Sequence, residues 1–316
     1  MRIYYTSDLH GSEKCWRKFL GAPKYYSADV VMIGGDITGK FIVPIIHFPK
    51  GRVEANFMGR KRKLKKEKDV EILKGQIANT GQYAIDVTGE EYEEYQNNPA
   101  RLDELFRKLI LERVAQWTEM ADDRLKGQNV RCFISAGNDD IMEVDDILEK
   151  SEIIEVHDGK IIDLGEGFEL LGLSNANITP WDCPRDISEE ELTIKIDNLA
   201  KQINNLDRAI FDIHVPPYDS GLDEAPELSE DLSMTLDPTG TPKMIPVGSS
   251  AVSEAIQKYQ PLLGLHGHIH ESAGIQKIGR TTIVNPGSEY AEGLLRGAVI
   301  DLDEKEGLLN VNLVTG

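Results

Sequence analysis

The chain has 316 residues, 40% of them hydrophobic and 28% charged, with a formal net charge of −19. That balance is an ordinary globular protein's, and the length allows one large core or a core carrying a substantial insertion. The acidic charge argues against a nucleic-acid coat and against an anionic membrane surface, and no apolar run reaches the ~18 residues of a membrane span.

Ile3 to Ser7 reads as a short buried strand leading into Asp8-Leu9-His10-Gly11. The start of the chain is too short and polar for a signal peptide. Ser12 then caps a helix running to about Leu20. Asp29 to Ile33 is an apolar, β-branched strand ending at Gly34-Gly35-Asp36, so the opening reads as a βαβ unit with parallel strands. From about Phe41 the rhythm breaks. Phe41–Phe48 and Arg52–Phe57 suggest a hairpin around Pro49-Lys50-Gly51, and Arg60 to Lys68 is strongly basic. Val70–Ile77 and Tyr83–Val87 read as further strands. From Pro99 a long helix carries Leu102, Leu105, Phe106, Leu109, Ile110, Val114 and Trp117 at helical spacing. The expectation is one domain over residues 1–316 with an insertion at about 41–128.

Alternation resumes with the strand Val130–Ser135, ending in Gly137-Asn138-Asp139-Asp140, and a short helix over Val144–Glu149. Ile161–Leu164 and Phe168–Leu173 form an expected antiparallel pair. Ser188 with Glu191 is a capping box opening a helix to Asn204. Ala209–Ile213 is a buried strand ending at His214. Asp219–Pro246, rich in Pro, Ser, Asp and Gly, reads as a long surface loop. A helix over Ser249–Tyr259 precedes the apolar run Pro261–Leu265, and His266, His268 and His270 follow it directly. Strands at Gly274–Ile278, Thr281–Asn285, Gly297–Asp301 and Leu308–Val314 are expected to close the chain as a meander. Cys15, Cys132 and Cys183 are widely spaced and odd in number. They fit neither a disulfide framework nor a cysteine zinc site and suggest a reducing cytoplasm.

Each strand assigned to the core ends in a potential metal ligand: Asp8 and His10, Asp36, Asn138, His214, and the histidine cluster. In open α/β sheets such ends form the ligand-binding edge. Three histidines within five residues, two apart in extended chain, point the same way and can converge. Asp, Asn and His offer oxygen and imidazole donors suited to Mn, Fe, Zn, Ni or Co, manganese first, and not to a sulfur cluster. Two dications among two carboxylates leave a net positive site that holds a phosphate and lowers the pKa of bridging water.

The order DLHG, GGD, GN, H, GHIH resembles the calcineurin-like metallophosphoesterase superfamily. The likeness covers the core to about residue 290, the insertion excepted, and extends to Asn285-Pro286-Gly287-Ser288. It implies an α/β fold, a four-layer αββα sandwich of two mixed sheets flanked by helices. It implies that Asp8, His10 and His270 bind a first metal, that Asn138, His214 and His268 bind a second, and that Asp36 bridges them. His266 is then set back from the metals. The implied activity is hydrolysis of a small phosphomonoester or phosphodiester, with a metal-bridging hydroxide attacking phosphorus in line.

One position departs from the family pattern, which commonly places a histidine after the Gly-Asn asparagine. Here the residue is Asp139, and an aspartate side chain is ordinarily a carboxylate at neutral pH, so a poor proton donor and a repulsive neighbour for phosphate. Three readings stay open: a substrate whose leaving group needs no protonation, a substitute acid such as His47 or His157, or drift to non-catalytic metal binding. The alternative function is therefore a partner-binding scaffold of the same fold. The basic run Arg60–Lys68 reads first as a solvated face, and second as a grip for a polyanion such as nucleic acid.

Overall fold

In the computed structural model, which describes residues 1–316, two six-stranded sheets pack face to face. The first runs Gly307–Thr315, Arg296–Asp303, Arg2–Thr6, Val30–Gly34, Arg131–Ser135, Ile154–Val156. Its last four strands are mutually parallel and the other two are antiparallel additions. The second runs Gly274–Ile278, Thr281–Asn285, Leu263–Leu265, Ala209–Ile213, Phe168–Leu173, Ile161–Gly165. Its four central strands are parallel, and each edge strand pairs antiparallel.

Strand alternation sorts the side chains into layers. Ile3 and Tyr5 turn inward and join Met32, Phe133, Leu170, Ile210, Leu265 and Val284, drawn from both sheets. Tyr4 turns outward, with Val31, Ile33, Cys132 and Ile134, onto Trp16, Phe19, Val114 and Trp117 of helices Glu13–Phe19 and Pro99–Leu125. Across the molecule Leu171, Leu173, Phe211 and Ile213 meet Leu192, Ile196, Val252 and Ile256 of helices Glu189–Ala200 and Ser250–Tyr259. Each fully buried aliphatic or aromatic chain contributes roughly 1.5–3 kcal/mol, so three apolar interlayers fix the stacking. The result is the expected αββα sandwich. The long helix is docked by Trp117, which stacks on Trp16 with centroids 4.7 Å apart and donates Nε1–H to Glu13 at 2.6 Å.

Between Val30–Gly34 and Arg131–Ser135 the chain builds a separate four-stranded sheet, ordered Arg60–Leu64, Arg52–Phe57, Ile42–Phe48, Tyr83–Thr88. The hairpin around residues 49–51 is present. Val70–Ile77, expected as a strand, is instead part of helix Glu67–Asn79. Its apolar residues Val70, Leu73 and Ile77 recur at helical spacing and cover Val43, Ile45, Ala55 and Phe57 of that sheet. The basic run divides between an edge strand and the start of this helix, and exposed cations on an edge strand discourage further pairing. A helix over Gly89–Asn97, capped by a Thr88–Glu91 box, has no counterpart in the expected elements. The long loop holds a short antiparallel pair, Glu224–Pro226 with Met244–Pro246. The terminal meander is corrected too. Gly274–Ile278 and Thr281–Asn285 belong to the second sheet, whereas the last two strands complete the first. No helix is long and apolar enough to cross a membrane.

Candidate metal centre

The loops that follow Arg2–Thr6, Val30–Gly34, Arg131–Ser135, Ala209–Ile213 and Leu263–Leu265 meet at one edge of the paired sheets. Asp8, His10 and His270 form one group of donor atoms, Asp36, His214 and His268 a second, and His10, Asp36 and Asp139 a third. His10 Nε2 lies 3.0 Å from His270 Nε2 and 3.5 Å from Asp36 Oδ2, and His270 Nε2 lies 3.3 Å from Asp8 Oδ1. On the other side His214 Nε2 is 3.4 Å from Asp36 Oδ1, and Asn138 Oδ1 is 2.9 Å from His268 Nδ1. Asp36 thus faces both groups. His266, as expected, is set back, with its Nδ1–H donating to the carbonyl of Ile213 at 2.8 Å.

The backbone holds this arrangement under strain. Asp8, His10, Asp36 and His268 adopt φ values of 58°, 40°, 50° and 65°, a left-handed region that costs a non-glycine residue of order 1–3 kcal/mol. Ladder-like bonds fix the first two loops together: Asp8 N–H to Gly35 O, His10 N–H to Asp36 O and Gly11 N–H to Ile37 O. Asn285 Nδ2 donates to the carbonyl of Ile269 at 2.9 Å, and Ser288 Oγ to that of Asp8 at 2.7 Å. The Asn-Pro-Gly-Ser loop therefore frames the histidine and aspartate loops. Glycine is demanded where chains touch: a Cβ on Gly137 would collide with the Asp36 carboxylate and backbone nitrogen.

Charge within the cluster is divided. Burial opposes ionisation of Asp36, but His214 and His10 outweigh it and hold the carboxyl well below its usual range. Burial likewise works against Asp8, and His270 reverses the balance. His214 is raised to about 10, since Asp36 and Asp8 overcome its desolvation. Asp8 raises His270 in the same way. His10 and His268, for which burial dominates, are lowered to about 4.

The residues fit divalent metal ions. His214 Nε2 is fully buried, points at Asp36 and makes no hydrogen bond, an arrangement that costs about 1–3 kcal/mol unless something is bound there. Nitrogen and carboxylate donors 3.0–3.5 Å apart are spaced as neighbours around an ion with bonds of ~2.1 Å. The donor set has no cysteine among its members, which suits hard and borderline metals.

No family model matches the chain. An uncharacterized protein of Methanocaldococcus jannaschii, MJ1162, is 32% identical over 152 residues, 48% of this chain, and the chain spans 61% of that relative's length. One solved chain, 16% identical, superposes with a TM-score of 0.56 over 99% of this chain and 98% of its own. TT1561 of Thermus thermophilus, 13% identical, does so with a TM-score of 0.51 over 100% and 97%. The shared fold is the sandwich described above. The likeness to both is one of fold.

After Asn138, the side chain of Asp139 meets two partners that sequence reasoning missed. Its carboxylate is ion-paired with Lys40 and accepts from the Cys183 thiol at 2.8 Å. The bare negative charge expected at this position is therefore compensated. The two suggested substitute acids are placed elsewhere. His47 Nε2 bonds Asp86 in the separate sheet at 2.7 Å, and His157, fully buried between the main sheets, bonds Asp212 at 2.6 Å. Two further residues position the loop. Asp186 accepts Asn138 Nδ2–H at 2.8 Å, which turns Asn138 Oδ1 toward His268. The buried Asp140 carboxylate accepts from Ile37 N–H, Thr38 N–H and Gly137 N–H, joining the Asp36 and Asn138 loops. For Lys40 no local signal exists, because its partner lies 99 positions away.

Proposed function

We propose that the protein is a dinuclear metal-dependent phosphoesterase, one domain over residues 1–316 elaborated by residues 41–128. Asp8, His10 and His270 would hold one ion, Asn138, His214 and His268 the other, and Asp36 both. Manganese is the first candidate among Mn, Fe, Zn, Ni and Co. The observation that carries the proposal is the double-sided Asp36, within 3.5 Å of His10 and 3.4 Å of His214 in a dry cluster. A partner-binding scaffold has no use for buried, strained and partly unbonded ionisable groups. When bound, two dications acidify water and offset negative charge on phosphoryl oxygens.

The chain's own residues do the remaining work. Asp36 keeps its carboxylate anionic between the two groups, and the strand-end loops bury it away from bulk water. Asp139, 4.0 Å from His10 Nδ1, adds a carboxylate at the rim. Lys40 balances that carboxylate, so the rim offers no surplus positive charge for a dianionic monoester, and a small, monoanionic phosphodiester is the preferred substrate class.

Metal analysis together with hydrolysis of p-nitrophenyl phosphate and bis(p-nitrophenyl) phosphate tests this, comparing wild type with Asp36→Ala. Metal-dependent turnover that disappears in the variant, with the diester favoured, is the expected result. Full metal occupancy without Asp36-dependent turnover of either ester would end the proposal.

A further inference from the structure

We propose that Lys40 is the phosphoryl-binding cation of this site, occupying in charge the role that the absent histidine leaves open, with Asp139 as its positioning residue. The inference rests on the phosphoesterase reading and deepens it.

Three observations support it. First, the lysine is placed and not free. Asp139 N–H donates to Asp36 Oδ1 at 3.1 Å, and the Asp139 carboxylate is paired with Lys40. The ammonium is therefore linked through one residue to the carboxylate between the two metal groups. Second, the pair stands against the cluster itself: the Asp139 carboxylate that holds the ammonium also lies 4.0 Å from His10 Nδ1. Third, its capacity is unspent. An ammonium has three N–H donors, and Asp139 is the single partner Lys40 has among side chains. With 38% of its side chain open to solvent, the ammonium can still offer its remaining donors to a phosphoryl oxygen.

The chemistry distinguishes this from an ordinary surface ion pair. An exposed pair contributes about 0–1 kcal/mol to stability and does nothing for a ligand. A compact, always-charged donor aimed at an oxygen that gains negative charge during phosphoryl transfer is worth ~10²–10³ in rate. Asp139 offsets the cost of bringing that cation beside the metal cluster, and it leaves the pair neutral, so a monoanionic diester meets a local donor without net repulsion. Lysine supplies charge and hydrogen bonds without the proton shuttling of a histidine, which suits esters with good leaving groups.

The test uses the full chain reconstituted with manganese: wild type, Lys40→Ala, Lys40→Arg, Asp139→Ala and the Lys40→Ala/Asp139→Ala double variant. Metal content, hydrolysis of bis(p-nitrophenyl) phosphate and calorimetric binding of inorganic phosphate are measured on each. Lys40→Ala should keep full metal content, lose about 100-fold in kcat/KM and bind phosphate at least tenfold more weakly, while Lys40→Arg recovers part of both. Asp139→Ala should lower kcat/KM in the wild-type background and change nothing further once Lys40 is gone, a coupling that a merely structural residue would not show. Wild-type turnover and phosphate binding that are unchanged in metal-replete Lys40→Ala overturn the inference and leave the phosphoesterase reading standing. Phosphate binding lost in Lys40→Ala, in a protein without esterase activity, keeps the cation site and sinks the esterase reading. A metal-loaded wild type that neither binds phosphate nor hydrolyses the ester overturns both.

Discussion

His214 donates Nδ1–H to the carbonyl of Gly34 at 2.9 Å and thereby presents Nε2 to Asp36, 3.4 Å away. The carbonyl decides the tautomer, so the nitrogen facing the cluster is the one available to a proton or a metal. In the metal-free protein the proton wins at neutral pH, because Asp36 raises His214 to about 10. Since this pKa lies above the ordinary histidine value, the stability it contributes is complete below about 6.5 and is lost as pH rises through about 10. Asp36 has the opposite sign: its carboxyl is depressed, so its contribution is present above about 3.9 and falls away on further acidification. Metal loading must expel the His214 proton, and Asp36, already anionic, has none to give. Titration of the metal-free protein at pH 7.5 in buffers of different ionisation enthalpy should show release of about one proton from His214, with a further contribution from His270. Loading without proton release would remove His214 from the ligand set.

Asp186 orients Asn138 from behind and also accepts from Thr179 N–H and Cys183 N–H. Outer partners of this kind are worth about 10–100-fold in metal affinity or activity. Asp186→Ala is expected to weaken the occupancy of one ion by that factor and leave the other in place. Thr179→Val removes the bond from the Thr179 hydroxyl to Asp186, keeps the Asn138 bond, and should leave both ions bound. Equilibrium dialysis of the two variants makes the comparison, and equal losses would assign the effect to the loop instead of Asn138.

The sandwich and the strand-end residues were legible because both are local patterns. Apolar β-branched runs such as Val30–Gly34 end in motif residues, and five motifs in order are specific. The failures have physical causes. In Val70–Ile77 the β-branched residues suggested a strand, yet Val70, Leu73 and Ile77 carry helical period, and the surface they cover on Val43, Ile45 and Phe57 decided the outcome. The last four strands were expected as one meander but split into two pairs in different sheets, because which sheet each pair joins depends on pairing across the whole chain, Arg2 with Asp301 and Thr282 with Leu263. Lys40 was invisible for the same reason, since only folding brings it to Asp139.

Trp117 is the principal tie between the long helix and the core, through its stack on Trp16 and its bond to Glu13. Trp117→Ala deletes a fully buried aromatic and leaves a cavity, a loss of about 3–5 kcal/mol. The midpoint of urea unfolding should fall accordingly, with metal content per folded molecule unchanged. Trp117→Phe, which keeps the stacking and loses the hydrogen bond, should recover most of that stability. A variant of wild-type midpoint would mean that the helix is anchored by other contacts.

Gly137 separates a packing defect from a site defect. Its α-carbon leaves no room for a methyl group, which would overlap Asp36 Oδ1 and the Asp36 backbone nitrogen. The obstacle is main chain as well as carboxylate, and the two loops are locked together by Asp140, so neither can retreat cheaply. Gly137→Ala should therefore displace the Asp36 carboxylate and weaken both ions together, at least tenfold, in contrast to the one-sided effect of Asp186→Ala. Its core packing is untouched, and the unfolding midpoint measured with chelator present should move by no more than about 1–3 kcal/mol, the cost of a small overpacking. Isothermal titration with manganese and unfolding in chelator read the two quantities separately. Loss of a single ion, or retention of both, would show that Asp36 does not stand between them.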